Sequence, residues 1–199
     1  MSPGASHPSP ARIAIFASGG GSNAARIMDH FAEHAHANVV LVVTNKPTAG
    51  VIMKAYQRSV PVLVLDKARI NNPDLLVSQL QQFGVNFIAL AGFLLLVPAF
   101  LVRAFPRRIV NIHPALLPKF GGKGMYGMHV HRAVKEAGET ESGPTIHYVN
   151  EQYDDGAIIA QERVALDTED TPEDIAAKVL AVEHRLYPRV IDELVSGLK

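Results

Sequence analysis

The alternation of short apolar runs with helical patterns constrains the fold of this chain more than any other feature. Because the apolar runs are rich in β-branched residues and apolar on both faces, they are typical of parallel strands covered by helices on each side. Four such runs lie in the first half, at Arg12–Ala17, Val39–Thr44, Val60–Leu65 and Phe87–Ala91. Helical patterns separate them, at Ala24–His34, Ala49–Arg58 and Asp74–Phe83. This order predicts an α/β fold with a doubly wound, mostly parallel sheet.

The second half continues with shorter elements and one long helix. The predicted elements are a helix at Ala99–Phe105, a strand at Arg108–His113, a helix at His129–Ala137 and strands at Pro144–Asn150 and Ala157–Leu166. The final helix has a clear start, with Thr171 as N-cap and Pro172 at the first helical position, and it extends to about Val195. Neither an internal repeat nor a domain linker is evident, so the pattern predicts a single domain over residues 12–199.

The ends of the chain and its apolar stretches favour a protein outside the membrane. Met1–Pro10 is small, polar and Pro-rich with no apolar core, which predicts a disordered tail over residues 1–11 rather than a signal peptide. The longest apolar stretch, Phe87–Phe105, is interrupted by Gly92, Pro98 and Arg103. These breaks favour a buried strand followed by a helix over a membrane span.

Composition excludes several classes of function. The 199 residues contain 19 Lys+Arg and 19 Asp+Glu, so the chain lacks the basic field that drives binding to nucleic acids or anionic membranes. With no cysteine, disulfide scaffolds, thiolate zinc sites and cysteine nucleophiles are excluded. The absence of cysteine is compatible with the cytoplasm, which is the location we expect.

A glycine-rich loop, Ser18–Asn23, follows the first predicted strand and begins a helix. Glycines allow backbone N–H groups to approach a ligand, and the helix N-terminus favours negative charge, so a phosphate is the expected guest. A tight turn with nothing bound is the alternative. The loop is a poor dinucleotide fingerprint, since Thr44–Lys46 after the second strand offers no acidic residue for a ribose.

Asn111 and His113 lie at the predicted end of the fifth strand, where they point to the same face. Pro114 stops the strand there, at the edge where open α/β sheets bind their ligands. An amide beside an imidazole suits addition to a carbonyl, because one group stabilises the oxyanion while the other moves a proton. A structural Asn and His without a catalytic role are an equally common explanation of such a pair.

His147 lies in a predicted strand and Asp154 in the turn beyond it, so a carboxylate can favour the protonated imidazole. A hairpin turn with solvated carboxylates explains the same local sequence. Metal binding is not expected, because His129 and His131 are two residues apart on a helix and do not share a face. The absence of G-x-S-x-G disfavours a serine hydrolase.

In their order and spacing, these motifs resemble those of the phosphoribosylglycinamide formyltransferase family, the folate-dependent enzymes of purine synthesis, across nearly all of Arg12–Leu194. The resemblance rests on the glycine loop, on NIHPALLPKF (Asn111–Phe120), on GPTIHYV (Gly143–Val149), on the turn Asp154–Gly156 and on EHRLYP (Glu183–Pro188). It implies a Rossmann-like formyltransferase fold.

The resemblance also assigns roles to residues. It implies that Asn111, His113 and Asp154 are catalytic, with His147 supporting them, and that Gly21, Ser22, Asn23 and Glu183 bind the ribotide. It places the pterin of the folate against Leu94, Leu95, Leu96 and Val97 and against Asn150, Glu151, Gln152, Tyr153 and Asp154, with Asn111 also in contact.

The reaction implied is transfer of the formyl group of 10-formyltetrahydrofolate, the co-substrate, to the amine of glycinamide ribotide. In this mechanism the amine attacks directly, Asn111 and a protonated His113 stabilise the oxyanion, and Asp154 keeps His113 charged. We expect no metal, nucleic acid or membrane partner, small-molecule substrates only, and a possible homodimer.

The chain departs from the family in the segments that follow two of the motifs. Leu94–Val97 lacks an Arg found in many members, and the basic residue of the folate site has no clear match, with Lys67 and Arg69 as candidates. The loop Gly121–Gly127 is longer than usual. For the segment Lys119–Met128 that contains it, we expect either a lid over the substrates or an ordinary surface loop.

Related and unrelated functions compete with this interpretation. A formyltetrahydrofolate deformylase would use water as acceptor, and a methionyl-tRNA formyltransferase would need a further RNA-binding domain and a basic surface. A nucleotide-binding dehydrogenase or a non-enzymatic binding module would explain the strand–helix alternation and the glycine loop. Neither of the last two explains Asn111, His113 and Asp154.

Overall fold

A computed structural model of the protein describes residues 10–197, in which nine strands alternate with seven helices. The strands, β1 to β9 in chain order, are Ala11–Phe16, Ala37–Thr44, Val62–Val64, Phe87–Leu90, Ile109–His113, Glu141–Ser142, Thr145–Tyr148, Ile158–Gln161 and Val164–Ala165. The helices, α1 to α7, are Ser22–His30, Val51–Tyr56, Lys67–Ile70, Pro73–Gln82, Ala99–Ala104, Met128–Glu136 and Pro172–Ser196. Most of the predicted tail lies outside the described residues, and β1 begins at Ala11.

Seven strands form one sheet in the order β3-β2-β1-β4-β5-β7-β8. The first five strands along this order run parallel to one another, and β7 and β8 extend the sheet in antiparallel fashion. The predicted doubly wound, mostly parallel sheet is therefore confirmed. The strand order reverses direction between β1 and β4, which leaves a crevice at their carboxyl ends.

The sheet is apolar on both faces, as its sequence predicts. In β1, Ile13 and Ile15 pack into the core on one face, whereas Ala14 and Phe16 pack into the core on the other. Helices α1 and α7 cover the first face, and α4 and α5 cover the second. Because both faces are dry, the polar side chains of these strands concentrate at the strand ends, where the crevice opens.

Helix α7 is held at its start by the predicted cap and at its middle by the sheet. Thr171 Oγ1 accepts from the Asp174 N–H, and the Asp174 carboxylate accepts from the Thr171 N–H, which completes a capping box. Further along, the buried Tyr187 hydroxyl lies within hydrogen-bond distance of two strand carbonyls, those of Leu90 and Val110. These contacts fix the face of α7 that borders the crevice.

The shortest elements differ from the sequence-based expectation. The predicted strand Ala157–Leu166 is two strands, because β8 joins the large sheet while β9 pairs with β6 in a separate two-stranded ribbon. The four-residue helix α3 and the two-residue strand β6 were not predicted, since elements this short carry no periodicity. No helix among residues 10–197 is long and apolar enough to cross a membrane.

Candidate active site

A crevice of about 650 Å³ opens at the carboxyl ends of β1, β4 and β5. Five segments line it: the glycine loop, the chain after β4, the end of β5, the loop before α6 and the turn at Gln152–Asp154. One face of α7 closes it through Ala176, Leu180 and Glu183. This is the edge of the sheet at which the sequence predicts a ligand.

The glycine loop lines the crevice, and Gly21 within it adopts a left-handed conformation with φ of 71°. A Cβ at this position would lie 2.7 Å from Val51 Cβ, so only glycine fits without strain. No side chain caps the first turn of α1. The first N–H groups of α1 and the helix dipole could therefore serve an anion near Ser22 and Asn23, where the sequence predicts one.

Asn23 and Glu183 meet across the crevice although they are far apart in sequence. Asn23 Nδ2 donates to Glu183 Oε2 at 2.6 Å, and Glu183 is buried. Burial raises the pKa of Glu183 to about 7, and the hydrogen bond from Asn23 opposes this only in part. The structure therefore joins the four predicted ribotide residues at one end of the crevice.

Asn111, His113 and Asp154 converge at the centre of the crevice. Asp154 Oδ2 lies 3.4 Å from His113 Nδ1, and Asp154 Oδ1 lies 3.4 Å from Asn111 Nδ2. His147 is the fourth member of this group, since its Nε2 lies 3.1 Å from Asn111 Nδ2 and 3.6 Å from Asp154 Oδ1. The same-face placement predicted for Asn111 and His113 is thus observed.

The turn that carries Asp154 has two unusual backbone features, at Asp154 and at Gly156. Asp154 itself has a positive φ of 52°, a conformation that is uncommon outside glycine and is often found at functional sites. Gly156 packs so closely against the Tyr148 carbonyl that a Cβ would overlap it. The Gly122 N–H donates to Asp154 Oδ2 at 3.0 Å and fixes the carboxylate toward His113.

Burial and Asp154 act in opposite directions on the pKa of His113. Burial has the larger effect and lowers this pKa below its ordinary value, while Asp154 and the Phe120 carbonyl raise it in part. The effect of Asp154 is therefore in the direction that the sequence predicts, and burial opposes it. Burial alone would raise the pKa of Asp154, but hydrogen bonding to His147 and the charge of His113 hold it below its ordinary value.

The predicted folate contacts fall into two sets. Leu94–Val97 and Gln152–Asp154 line the crevice, with Leu94 and Leu96 exposed. Asn150 and Glu151 do not line it, because Asn150 hydrogen-bonds Asp155 and Glu151 pairs with Arg103 at 2.9 Å. Lys67 and Arg69 belong to α3 and also lie outside the crevice.

Sequence reasoning assigned no role to several residues that line the crevice, on α6 and α7 among others. His131 lines it and is buried, and its pKa is lowered to about 4 by burial and by the proximity of His113. Its position between the buried Val130 and Val134 on α6 is the signal that could have revealed it. Ala176 and Leu180, two turns and one turn before Glu183 on α7, also line the crevice. Among residues 10–197, no group of three or more His, Cys, Asp or Glu is placed to hold a metal ion.

The sheet and its crevice define an α/β enzyme with a glycine loop at one end of the crevice and an amide, an imidazole and a carboxylate at its centre. Residues 11–191 match the sequence model of a family described as "Formyl transferase". The chain belongs to the formyl transferase family.

Proteins of known name support this assignment. The chain is 50% identical over 195 residues to a chloroplastic phosphoribosylglycinamide formyltransferase of Arabidopsis thaliana, covering 94% of this chain and 67% of that protein. It is 37% identical over 188 residues to the Bacillus subtilis phosphoribosylglycinamide formyltransferase, covering 92% and 94%. It spans only 60% of a Vigna unguiculata relative and 14% of a trifunctional Drosophila melanogaster purine biosynthetic protein.

Solved structures share the fold. A glycinamide ribonucleotide transformylase of Symbiobacterium toebii has a TM-score of 0.87 at 34% identity, covering 96% of this chain and 90% of that one. A phosphoribosylglycinamide formyltransferase of Bacillus halodurans has a TM-score of 0.84 at 40% identity, covering 94% and 97%. The Rossmann-like formyltransferase fold implied by the sequence resemblance is thereby confirmed.

Proposed function

We propose that this chain transfers the formyl group of 10-formyltetrahydrofolate to the amine of glycinamide ribotide, in purine biosynthesis. The observation that carries the proposal is the convergence of Asn111, His113 and Asp154 beside an anion-binding glycine loop, in a chain of the formyl transferase family. The ribotide phosphate binds at Gly21, Ser22 and Asn23, and Glu183 accepts hydrogen bonds from the ribose. The pterin lies against Leu94–Val97 and Gln152–Asp154.

The reaction is a direct substitution at the formyl carbon. The ribotide amine forms the new C–N bond, the carbonyl oxygen becomes an oxyanion, and the bond from carbon to N10 of the folate then breaks. The proton lost by the amine balances the proton gained by N10, and we propose that water carries it. Asn111 Nδ2 stabilises the oxyanion as a neutral donor, so the chemistry needs no metal.

His113 must change partners to act on the oxyanion. Its Nε2 lies 2.8 Å from the Phe120 carbonyl and its Nδ1 faces Asp154, so both ring nitrogens have a partner within the protein. We infer that the oxyanion replaces the Phe120 carbonyl as the acceptor at Nε2. Asp154 then favours the charged form of His113 as negative charge develops on the substrate.

An assay of both possible acceptors tests the function. Purified protein is incubated with 10-formyltetrahydrofolate in the presence and absence of glycinamide ribotide, and formylated product and deformylated folate are measured. We expect folate consumption that depends on the ribotide, with one formylated product per folate consumed. Consumption without the ribotide identifies a deformylase, and no consumption in either case contradicts the proposal.

The glycine loop has its own test. Isothermal titration compares the ribotide with its dephosphorylated riboside, and we expect the riboside to bind at least tenfold more weakly. Equal affinities would show that the loop is only a turn.

The cytoplasmic location, the homodimer and the lid role of Lys119–Met128 stay predictions. The absence of cysteine is compatible with a cytoplasmic location, although some plant relatives are named chloroplastic.

A further inference from the structure

The ionisable groups that line the crevice leave it short of positive charge. Asp154 and Glu183 are the two carboxyl groups that line it, and the pKa of Asp154 is held below its ordinary value. His113 and His131 also line it, and burial lowers the pKa of each, which disfavours their charged forms. The proposed substrates, in contrast, are both anions: one carries a phosphate and the other the carboxylates of a glutamate.

One cationic side chain offsets this imbalance. Among the described residues that line the crevice, Lys123 is the one lysine, and no arginine accompanies it. Lys123 is exposed, and none of the ion pairs found among residues 10–197 involves it. The other lysine of this segment, Lys119, lies outside the crevice and pairs with Glu139 at 2.7 Å.

The backbone around Lys123 holds it at the crevice. Gly122 and Gly124 on either side have φ values of 94° and 91°, conformations that glycine adopts without strain. The Gly122 N–H is bound to Asp154 Oδ2 at 3.0 Å, so Lys123 directly follows a group fixed at the catalytic centre. Its flexible stem then carries a point charge that can reach an oxyanion on a ligand.

We propose that Lys123 is a substrate-binding residue that contacts an anionic oxygen of a bound substrate, a phosphate or carboxylate group remote from the formyl group. The inference rests on the proposed function. Lys123 takes the place of the basic residue that Lys67 and Arg69 do not supply, since both lie outside the crevice. It acts on binding and leaves the reacting atoms untouched.

Steady-state kinetics of Lys123→Gln, Lys123→Arg and Lys67→Gln test the proposal. Lys67→Gln is the matched control, because it removes one exposed charge outside the crevice. We expect Lys123→Gln to raise the KM for one substrate about fivefold, the effect typical of an exposed ion pair, with kcat within about twofold. Lys123→Arg should keep most of the affinity, and added salt should weaken binding to the wild type more than to Lys123→Gln.

Two binding comparisons show which anionic group Lys123 contacts. If the phosphate is the partner, Lys123→Gln weakens binding of the ribotide but not of its dephosphorylated riboside. If a folate carboxylate is the partner, the variant weakens binding of the formyl folate but not of a pterin analogue that lacks the glutamate. Unchanged KM values for both substrates, or equal changes in Lys67→Gln, would overturn the proposal.

The proposed function and the role of Lys123 can fail separately. If the wild-type chain transfers no formyl group, the proposed function fails. Titration calorimetry then compares the affinities of the wild type and Lys123→Gln for the ribotide and the folate, and it tests the role of Lys123 without the reaction. Thermal melting of each variant shows whether the fold is retained. Equal affinities of wild type and Lys123→Gln for both ligands would reject the inference.

Discussion

The core beneath α4 and the crevice at the carboxyl edge of the sheet differ in the side chains that they bury. In the core, side chains such as Leu76, Leu80 and Ile88 are fully buried and entirely apolar. The crevice also buries polar side chains, among them His113, His147 and Glu183. Asn23 Oδ1 and His131 Nδ1 are buried there without a hydrogen-bond partner. Such groups weaken the folded state, so their presence indicates that the crevice is arranged for a ligand.

The comparison predicts that changes in the core alter stability and leave the chemistry intact. Leu80→Ala should lower the free energy of unfolding by about 2–5 kcal/mol, because it removes buried methyl groups and leaves a cavity. Turnover per folded molecule should remain near the wild-type value. Urea unfolding and active-site-normalised kinetics measure the two effects, with Val64→Ala on the exposed edge strand as a control that costs less than about 1 kcal/mol.

In the crevice, we expect the ionisation of Glu183 to make stability depend on pH. Burial raises the pKa of Glu183 to about 7 in the folded protein from an ordinary value of 4.5. Between these values the folded state binds more protons than the unfolded state, so stability falls as pH rises from about 4.5 to 7. The loss is on the order of 3 kcal/mol.

Glu183→Gln should remove this contribution, so the variant gains stability relative to the wild type as pH rises through this window. Urea unfolding at pH 5 and pH 8 measures the difference, with the exposed Glu33→Gln as control. An equal difference between the variant and the wild type at both pH values would show that the carboxyl of Glu183 is not held protonated by burial.

The smallest expected effect lies where the two regions meet. Tyr187→Phe removes the hydroxyl that bonds the Leu90 and Val110 carbonyls beneath the crevice, and it should lower the free energy of unfolding by about 1–3 kcal/mol. Tyr56→Phe is the matched control, because Tyr56 is 78% exposed. A loss no larger than that of Tyr56→Phe would show that the Tyr187 hydroxyl contributes nothing to holding α7.

The elements of the core could be predicted from the sequence because their patterns are local. Apolar runs and helical periodicity predict β1, β2, β4 and β5 within one or two residues, and Thr171 with Pro172 predicts the start of α7. The helix α3 and the strand β6 were not predicted because two to four residues carry no period, and the break between β8 and β9 lies inside one predicted strand.

The crevice could be predicted only in part. The direction of Asn111 and His113 follows from strand geometry, but Asp154 lies 41 residues further along, and locally its turn is indistinguishable from a solvated hairpin. Its placement was predicted through the family resemblance. The low pKa of His113 and the burial of His131 depend on packing by distant segments, and no local pattern encodes them.

Paired measurement of turnover and stability in His113→Ala tests the central claim most directly, with the exposed His36→Ala as control. If His113 serves the reaction, turnover per folded molecule in formyl transfer falls by about 10²–10⁴-fold. Near-normal turnover in His113→Ala, or a loss of turnover no greater than its loss of folded protein, would contradict the account.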